Sequence, residues 1–171
     1  DIRVLSAGGT VDFKRDHIDA AIRRSDFVLP PDVRATPLAP EWMGPVLAPS
    51  LAGATLAECP ILISDTRPDA WRAWARDSNV HLAGAAVRYE HFYLALQAAE
   101  AGQGLAMASV HMVAAELRSG RLYAPWGFTA DGSDYLLLRP DHAADERIDC
   151  LARWLAPLMQ THRQLAQPAS Q

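Results

Sequence analysis

The chain has 171 residues, is 50% apolar and 21% charged, and has a mean hydropathy of -0.05. That is an ordinary globular composition, large enough for a good core and unlike that of a disordered chain. A net charge of -4 and a pI near 5.8 argue against a chain that grips nucleic acid by itself, because phosphate neutralisation needs clustered Lys and Arg, and among the scattered arginines only Arg23 and Arg24 are adjacent.

Ile2 to Ser6 reads as a strand, Val11 to Asp16 as a short helix, and Asp19 to Arg23 as a buried strand. Asp26 to Pro40 carries Pro30, Pro31, Pro37 and Pro40, so it reads as loop plus an edge-like strand. Met43 to Ala48 is apolar and extended, and Pro49 with Ser50 opens a short helix. Ile61 to Ser64 is a strand, and Asp69 to Asp77 a helix with Trp71 and Trp74 one turn apart. Ala85 to Tyr89 is the next strand.

The stretch 94–127 is the most informative. Leu94, Leu96, Ala98, Ala99 and Ala101 suit a closely packed helix, and Gly102 supplies its left-handed stop. Gly104 to Ala108 is an apolar run of strand length. Ser109 follows it and can cap the next helix, which Gly120 closes. Arg121 to Trp126 and Tyr135 to Leu138 read as strands. Asp145 to about Ala156 is an amphipathic helix with Ile148, Leu151, Trp154 and Leu155 on one face. Pro157 is expected to end or kink it, and the tail from Gln164 to fray.

Alternating strands and helices predict an open, largely parallel α/β sheet. The connections around 37–49 and 126–132 look like two crossings between subdomains, which predicts two sheets rather than one. No apolar run approaches the length that crosses a bilayer, and no secretory leader is visible. Cys59 and Cys150 lie far apart in apolar settings and read as two buried free thiols of a cytoplasmic protein.

LQAAEAGQGLAMA followed by AAELRSGRLYAPW resembles the effector-binding domain of LysR-type transcriptional regulators, in the branch of the glycine-cleavage activator and the β-lactamase regulator. VDFKRDHIDAAIR (11–23), LAPEWMGPVLAPSL (38–51), ILISDTRPDAWRAWA (61–75), DYLLLRP (134–140) and CLARWLAPL (150–158) extend the resemblance, in order, along nearly the whole chain. The resemblance implies a two-lobed, type 2 periplasmic-binding-protein-like fold. Two Rossmann-like subdomains would be joined by two crossover strands, with a ligand in the cleft. Lobe I would be residues 1–42 and 128–171, and lobe II residues 43–127. Against the family pattern, the DNA-binding helix-turn-helix and the first βα unit of lobe I are missing. The resemblance also implies a homodimer or homotetramer, and contact with DNA only through the missing domain.

In such a cleft, strand C-termini and helix N-termini face the ligand. That rule selects Ser6, Arg23, Ser64, Asp65, Tyr89, His91, Ser109, His111 and Tyr135. Arg23 could meet an acidic group, or pair with Asp19 or Asp26. Asp65 could hold an amine, or cap the helix near Asp69. His91 at a helix N-terminus is expected to stay neutral and either bond a ligand or stand on the surface. Ser109 and His111 hold the corresponding place one strand later and read as ligand contacts. Tyr135 could put its hydroxyl in the cleft or be packed between lobes. The five tryptophans read as packing. None of the six histidines has metal-ligand spacing, and no cofactor motif or nucleophile elbow is present, so neither a metal, a cofactor nor an enzyme is expected. The AGG turn at 7–9 is too weak a signal for phosphate.

These readings favour a sensor of a small polar or anionic metabolite: an amino acid, a small acid or a peptide-like fragment. The alternative is a free-standing periplasmic solute-binding protein of the same fold. Sequence upstream separates the two, a helix-turn-helix favouring the first and a signal peptide the second.

Overall fold

The structure, a computed structural model, describes residues 2–6, 10–78, 82–142 and 145–167. The expected AGG turn and His81 lie outside the described residues. Six strands, β1 (Ala21–Arg24), β2 (Val33–Val46), β3 (Ile61–Ser64), β4 (Ala86–Tyr89), β5 (Leu105–Ser109) and β6 (Thr129–Pro140), form one sheet in the order β1-β6-β2-β5-β3-β4. Helices α1 (Ala70–Asp77), α2 (Phe92–Glu100), α3 (Ala114–Ser119) and α4 (Glu146–Thr161) pack against it.

The sheet is mixed. β3 is parallel to β4 and to β5, whereas β1 with β6, β6 with β2, and β2 with β5 are antiparallel. The largely parallel pattern holds only for residues 61–109. The expectation of two separate sheets also fails, for a simple reason. β2 is 14 residues long, and it changes partner along its length. Val33 to Met43 pair with β6, and Met43 to Val46 pair with β5. One strand therefore stitches an antiparallel half to a parallel half.

The prolines did not stop β2. Along most of its first part this strand has a neighbour on one side only, so a missing N–H is tolerated at Pro37 and Pro40. Register shifts between Pro37 and Ala39, and between Pro40 and Trp42, absorb the remaining misfit as bulges. Gly44 is required beside them. A Cβ there would collide with the carbonyl oxygen of Gly127, where the second connection passes close by.

The apolar runs at 61–64 and 104–108 became strands because both faces are covered. Val46, Leu62, Ala98, Ala99, Ala106, Ala108 and Val110 form one core with Phe128 and Ala166. Met43, Leu47, Ile61, Trp71, Trp74, Phe92 and Leu105 form a second on α1. Leu38, Leu137, Ile148, Ala152 and Met159 form a third beneath α4. The alanines of α2 allow close approach, and Gly102 and Gly120 carry positive φ of 76° and 72° where the helix stops were expected.

Other expectations need correction. Ile2 to Ser6 is not a strand; it is exposed, with no ladder partner among the described residues. Val11 to Asp16 makes a turn rather than a helix. β1 is only partly buried, because it lies at the sheet edge. Arg121 to Trp126 makes a single bridge, Leu47 with Tyr123, because it runs past the end of the sheet. Pro157 sits inside α4 without ending it, and His162–Ala166 add a 3-10 turn where fraying was expected. Trp154 lies on the solvent face of α4 at 63% exposure, and Cys150 is exposed while Cys59 is buried. The other tryptophans pack into or against the cores.

Leu138→Ala, at 1% exposure, is expected to cost about 2–5 kcal/mol in denaturant unfolding, and Trp154→Ser less than about 1 kcal/mol. Equal losses would contradict this division between core and surface.

Candidate functional site

Glu41 is a carboxylate with no exposed surface, in the bulged segment of β2. Burying an unpaired charge costs several kcal/mol, so the surroundings must compensate it. They do so from four other segments. Ser109, at the end of β5, donates its hydroxyl to Glu41 Oε1 at 2.7 Å, and the Trp42 N–H donates to the same oxygen at 3.0 Å. Arg67, in the turn between β3 and α1, places Nη1 3.2 Å from Glu41 Oε2. Arg24, ending β1, lies 4.0 Å from the same oxygen. Tyr135 of β6 accepts from Arg67 Nη2 at 3.2 Å and donates to Ser109 Oγ at 3.4 Å.

Arg67 is held further by the sulfur of Met43 at 3.0 Å, and its guanidinium lies over the Phe92 ring at 4.6 Å. Burial alone would lower its proton affinity, but the neighbouring Tyr135 and Glu41 outweigh this and keep it raised. Burial, then the Glu41 charge, raises the Tyr135 phenol above its ordinary range, so it remains a neutral donor.

Arg67 also lines a cavity of about 360 Å³, with Arg24, Asp26, Thr66, Asp69, Ala73 and Asp131 among its walls. The size suits a small metabolite. Arg24 is fixed across it by Asp131 at 2.6 Å and by Ser133 at 3.1 Å.

Ser109 and Tyr135 are thus brought together, and Ser64 stands close by. The Ser64 hydroxyl bonds that of Thr66, a cavity wall, at 2.7 Å, and its carbonyl accepts from the Arg67 N–H at 3.1 Å. Ser109 does not cap α3, as its hydroxyl is committed to Glu41. His111 lies beside this cluster. Its ring packs edge-on to Tyr135 at 5.4 Å, and Nε2 is 2.9 Å from the Pro40 carbonyl. That carbonyl only accepts, so Nε2 carries the proton. With both rings neutral, Nδ1 then accepts from the Nδ1–H of His162 at 3.2 Å.

The remaining candidates stand apart. Arg24, not Arg23, lines the cavity, since adjacent strand residues face opposite sides. Asp65 pairs with Arg88 and caps nothing at Asp69. Tyr89 donates to Gln103 at 3.1 Å. His91 stacks on Tyr93 at 5.5 Å, and Ser6 is exposed outside any strand. Sequence reasoning missed Arg24, Glu41, Thr66 and Arg67. A signal for Glu41 existed: one carboxylate in the apolar run LAPEWMGPV must either be exposed or be paired. Among the described residues, no group of three or more His, Cys, Asp or Glu is placed to hold a metal ion, and no helix is long and apolar enough to cross a membrane.

An antiparallel half and a parallel half joined through the long strand β2, together with the structural neighbours, define the class: a type 2 periplasmic-binding-protein-like α/β domain. The chain belongs to the LysR substrate binding domain family, whose model matches residues 1–160. It is 38% identical to the HTH-type transcriptional regulator TrpI of Pseudomonas aeruginosa, over 90% of this chain and 56% of that protein. It is 26% identical to the glycine cleavage system transcriptional activator of Escherichia coli, over 91% of this chain and 54% of that protein. The chain therefore spans about half the length of these relatives. Both are regulators of transcription. Among solved structures, the AmpR effector binding domain from Citrobacter freundii matches with a TM-score of 0.74 at 25% identity, over 89% of this chain and 80% of that one. The AmpR effector domain of Pseudomonas aeruginosa matches in fold with a TM-score of 0.70 at 22% identity, over 90% and 77%.

Burial, followed by the nearby His111 and Arg118, depresses the His162 proton affinity below its ordinary value of 6.5. The folded chain thus favours neutral His162, and this contribution to stability is present above 6.5 and lost as pH falls through the depressed value. The melting temperature is expected to fall between about pH 7.5 and about pH 5.5, and the fall to be smaller in His162→Gln. An unchanged pH profile in that variant would contradict it.

Proposed function

We propose that this chain is the effector-sensing part of a LysR-type transcriptional regulator, and that it takes a small polar or anionic metabolite into the cavity beside Arg67. Amino acids, small acids and peptide-like fragments are the candidate classes. The single observation that carries this reading is the buried Glu41–Arg67–Ser109–Tyr135 network opening onto a cavity of about 360 Å³. Residues 1–42 and 128–171 act as one lobe and residues 43–127 as the other. Support comes from the switch of β2 partners at Met43 and from the separate core beneath α4. The network draws on both lobes, so a ligand that engages Arg67 bears on their relative position.

Ligand binding to one arrangement of the lobes shifts the population toward it, and only differential affinity can do so. In the whole protein that shift is passed to DNA-binding domains through a homodimer or homotetramer in the cytoplasm. DNA contact is left to those domains, because this chain has a net charge of -4.

Thermal-shift screening with amino acids and small acids tests the reading. Glycine belongs in the set, since one relative activates a glycine cleavage system. A true effector at 100 times its Kd should stabilise by about 2.7 kcal/mol. Arg67→Lys keeps the charge but loses the fork geometry, and it is expected to reduce that shift sharply. An effector that stabilises wild type and Arg67→Lys equally would place binding elsewhere.

A further inference from the structure

We propose that Glu41 is a resident competitor for the effector's anionic group, so that the buried carboxylate sets the affinity of the site. This rests on the effector reading of the cavity. Arg67 has two attachments, to Glu41 and to the cavity. It pairs with Glu41, which has no exposed surface, at 3.2 Å, and it also lines the cavity. Arginine has five N–H donors in a planar fork. Glu41, the Met43 sulfur and Tyr135 engage three of them among the described residues. Two are left for a ligand that enters from the cavity.

Arg24 and Asp69 on the cavity wall are matched differently. Arg24 is held by Asp131 at 2.6 Å and faces Asp26 at 3.6 Å. Asp69 is paired with Arg72 at 3.1 Å. Arg67 differs from these: the carboxylate it pairs with at 3.2 Å is wholly enclosed and is also supported without it, whereas Arg24, 4.0 Å from the same carboxylate, is bound more closely by Asp131. The Ser109 hydroxyl and the Trp42 N–H both serve Glu41 Oε1, leaving Oε2 to the arginines. An incoming carboxylate or phosphate group can therefore draw Arg67 toward the cavity while Glu41 keeps two hydrogen bonds and the more distant Arg24. The two anions compete for one guanidinium, and the effector binds against the resident charge.

Glu41→Gln isolates this competition. The amide oxygen still accepts from Ser109 and Trp42, but the charge opposing an incoming anion is gone. The test is calorimetric titration of the purified chain with inorganic phosphate and, in a separate arm, with acetate. Wild type, Glu41→Gln and the double variant Glu41→Gln with Arg67→Gln are compared. Glu41→Gln is expected to bind at least one anion about tenfold more tightly, the order expected when a buried competing charge is removed. The double variant is expected to lose that gain. A gain with phosphate alone assigns a phosphoryl effector, and with acetate alone a carboxylate.

Equal, weaker or undetectable binding of both anions by a folded Glu41→Gln chain overturns the proposal. Should that variant fail to fold, a wild-type structure at saturating phosphate decides. The anion is expected on Arg67 with Glu41 Oε2 displaced beyond about 4 Å, the reach of an ion pair. An intact pair, or no anion on Arg67, overturns the proposal. An effector bound equally by wild type and Glu41→Gln refutes the competition yet leaves the effector site standing. Unaltered effector binding in the cavity-blocking variant Ala73→Trp refutes the site itself.

Discussion

A carboxylate without solvent must be matched where it lies, and in this fold Glu41 imposes that requirement. The bulged middle of β2 carries the charge to the junction of the two halves of the sheet. Its partners come from β5, from the turn after β3, and from β1, with Tyr135 of β6 tying Ser109 to Arg67. These segments are distant in sequence, up to 68 residues for Glu41 and Ser109. Non-local apolar packing brings them together, and the buried charge then restricts how they can be arranged. A loose junction would leave Glu41 partly unpaired, at a cost of several kcal/mol.

That constraint links the fold to a sensing role. Type 2 binding-protein domains connect their halves by crossing strands, and here one crossing strand holds the charge on which the site is built. The guanidinium that neutralises it also lines the cavity. In the proposed sensor, occupancy of the cavity and geometry of the crossing are therefore not independent. This is a physical route by which a ligand too small to contact both halves extensively can still bias them. The His111–His162 contact extends the same region toward the 3-10 turn after α4.

Much of the parallel half was legible in the sequence. The runs ILIS and LAMAS are apolar and of strand length, and Gly102 and Gly120 mark helix ends because only glycine takes that backbone readily. The antiparallel half was harder to read. The prolines of β2 argue locally against a strand, and only its one-sided pairing with β6 makes them tolerable. Two sheets were expected from two crossings, yet a crossing strand long enough to pair in both halves makes one. Ile2 to Ser6 has strand chemistry but makes no pairing among the described residues.

The site was half legible for a related reason. Ser64 and Ser109 lie at strand ends, where the rule about strand termini finds them; Tyr135, expected to open its strand, stands in the middle of β6. Glu41 lies in mid-strand and Arg67 three residues past a strand end, so that rule misses both. Their pairing is a tertiary fact. A double-mutant cycle on Glu41→Gln and Arg67→Gln, read by denaturant unfolding, measures it most directly. A coupling free energy of about 2–3 kcal/mol is expected for this enclosed pair, with the double variant more stable than the sum of the singles allows. A coupling within about 0.5 kcal/mol of zero would contradict the account, because the junction would then not depend on the charge.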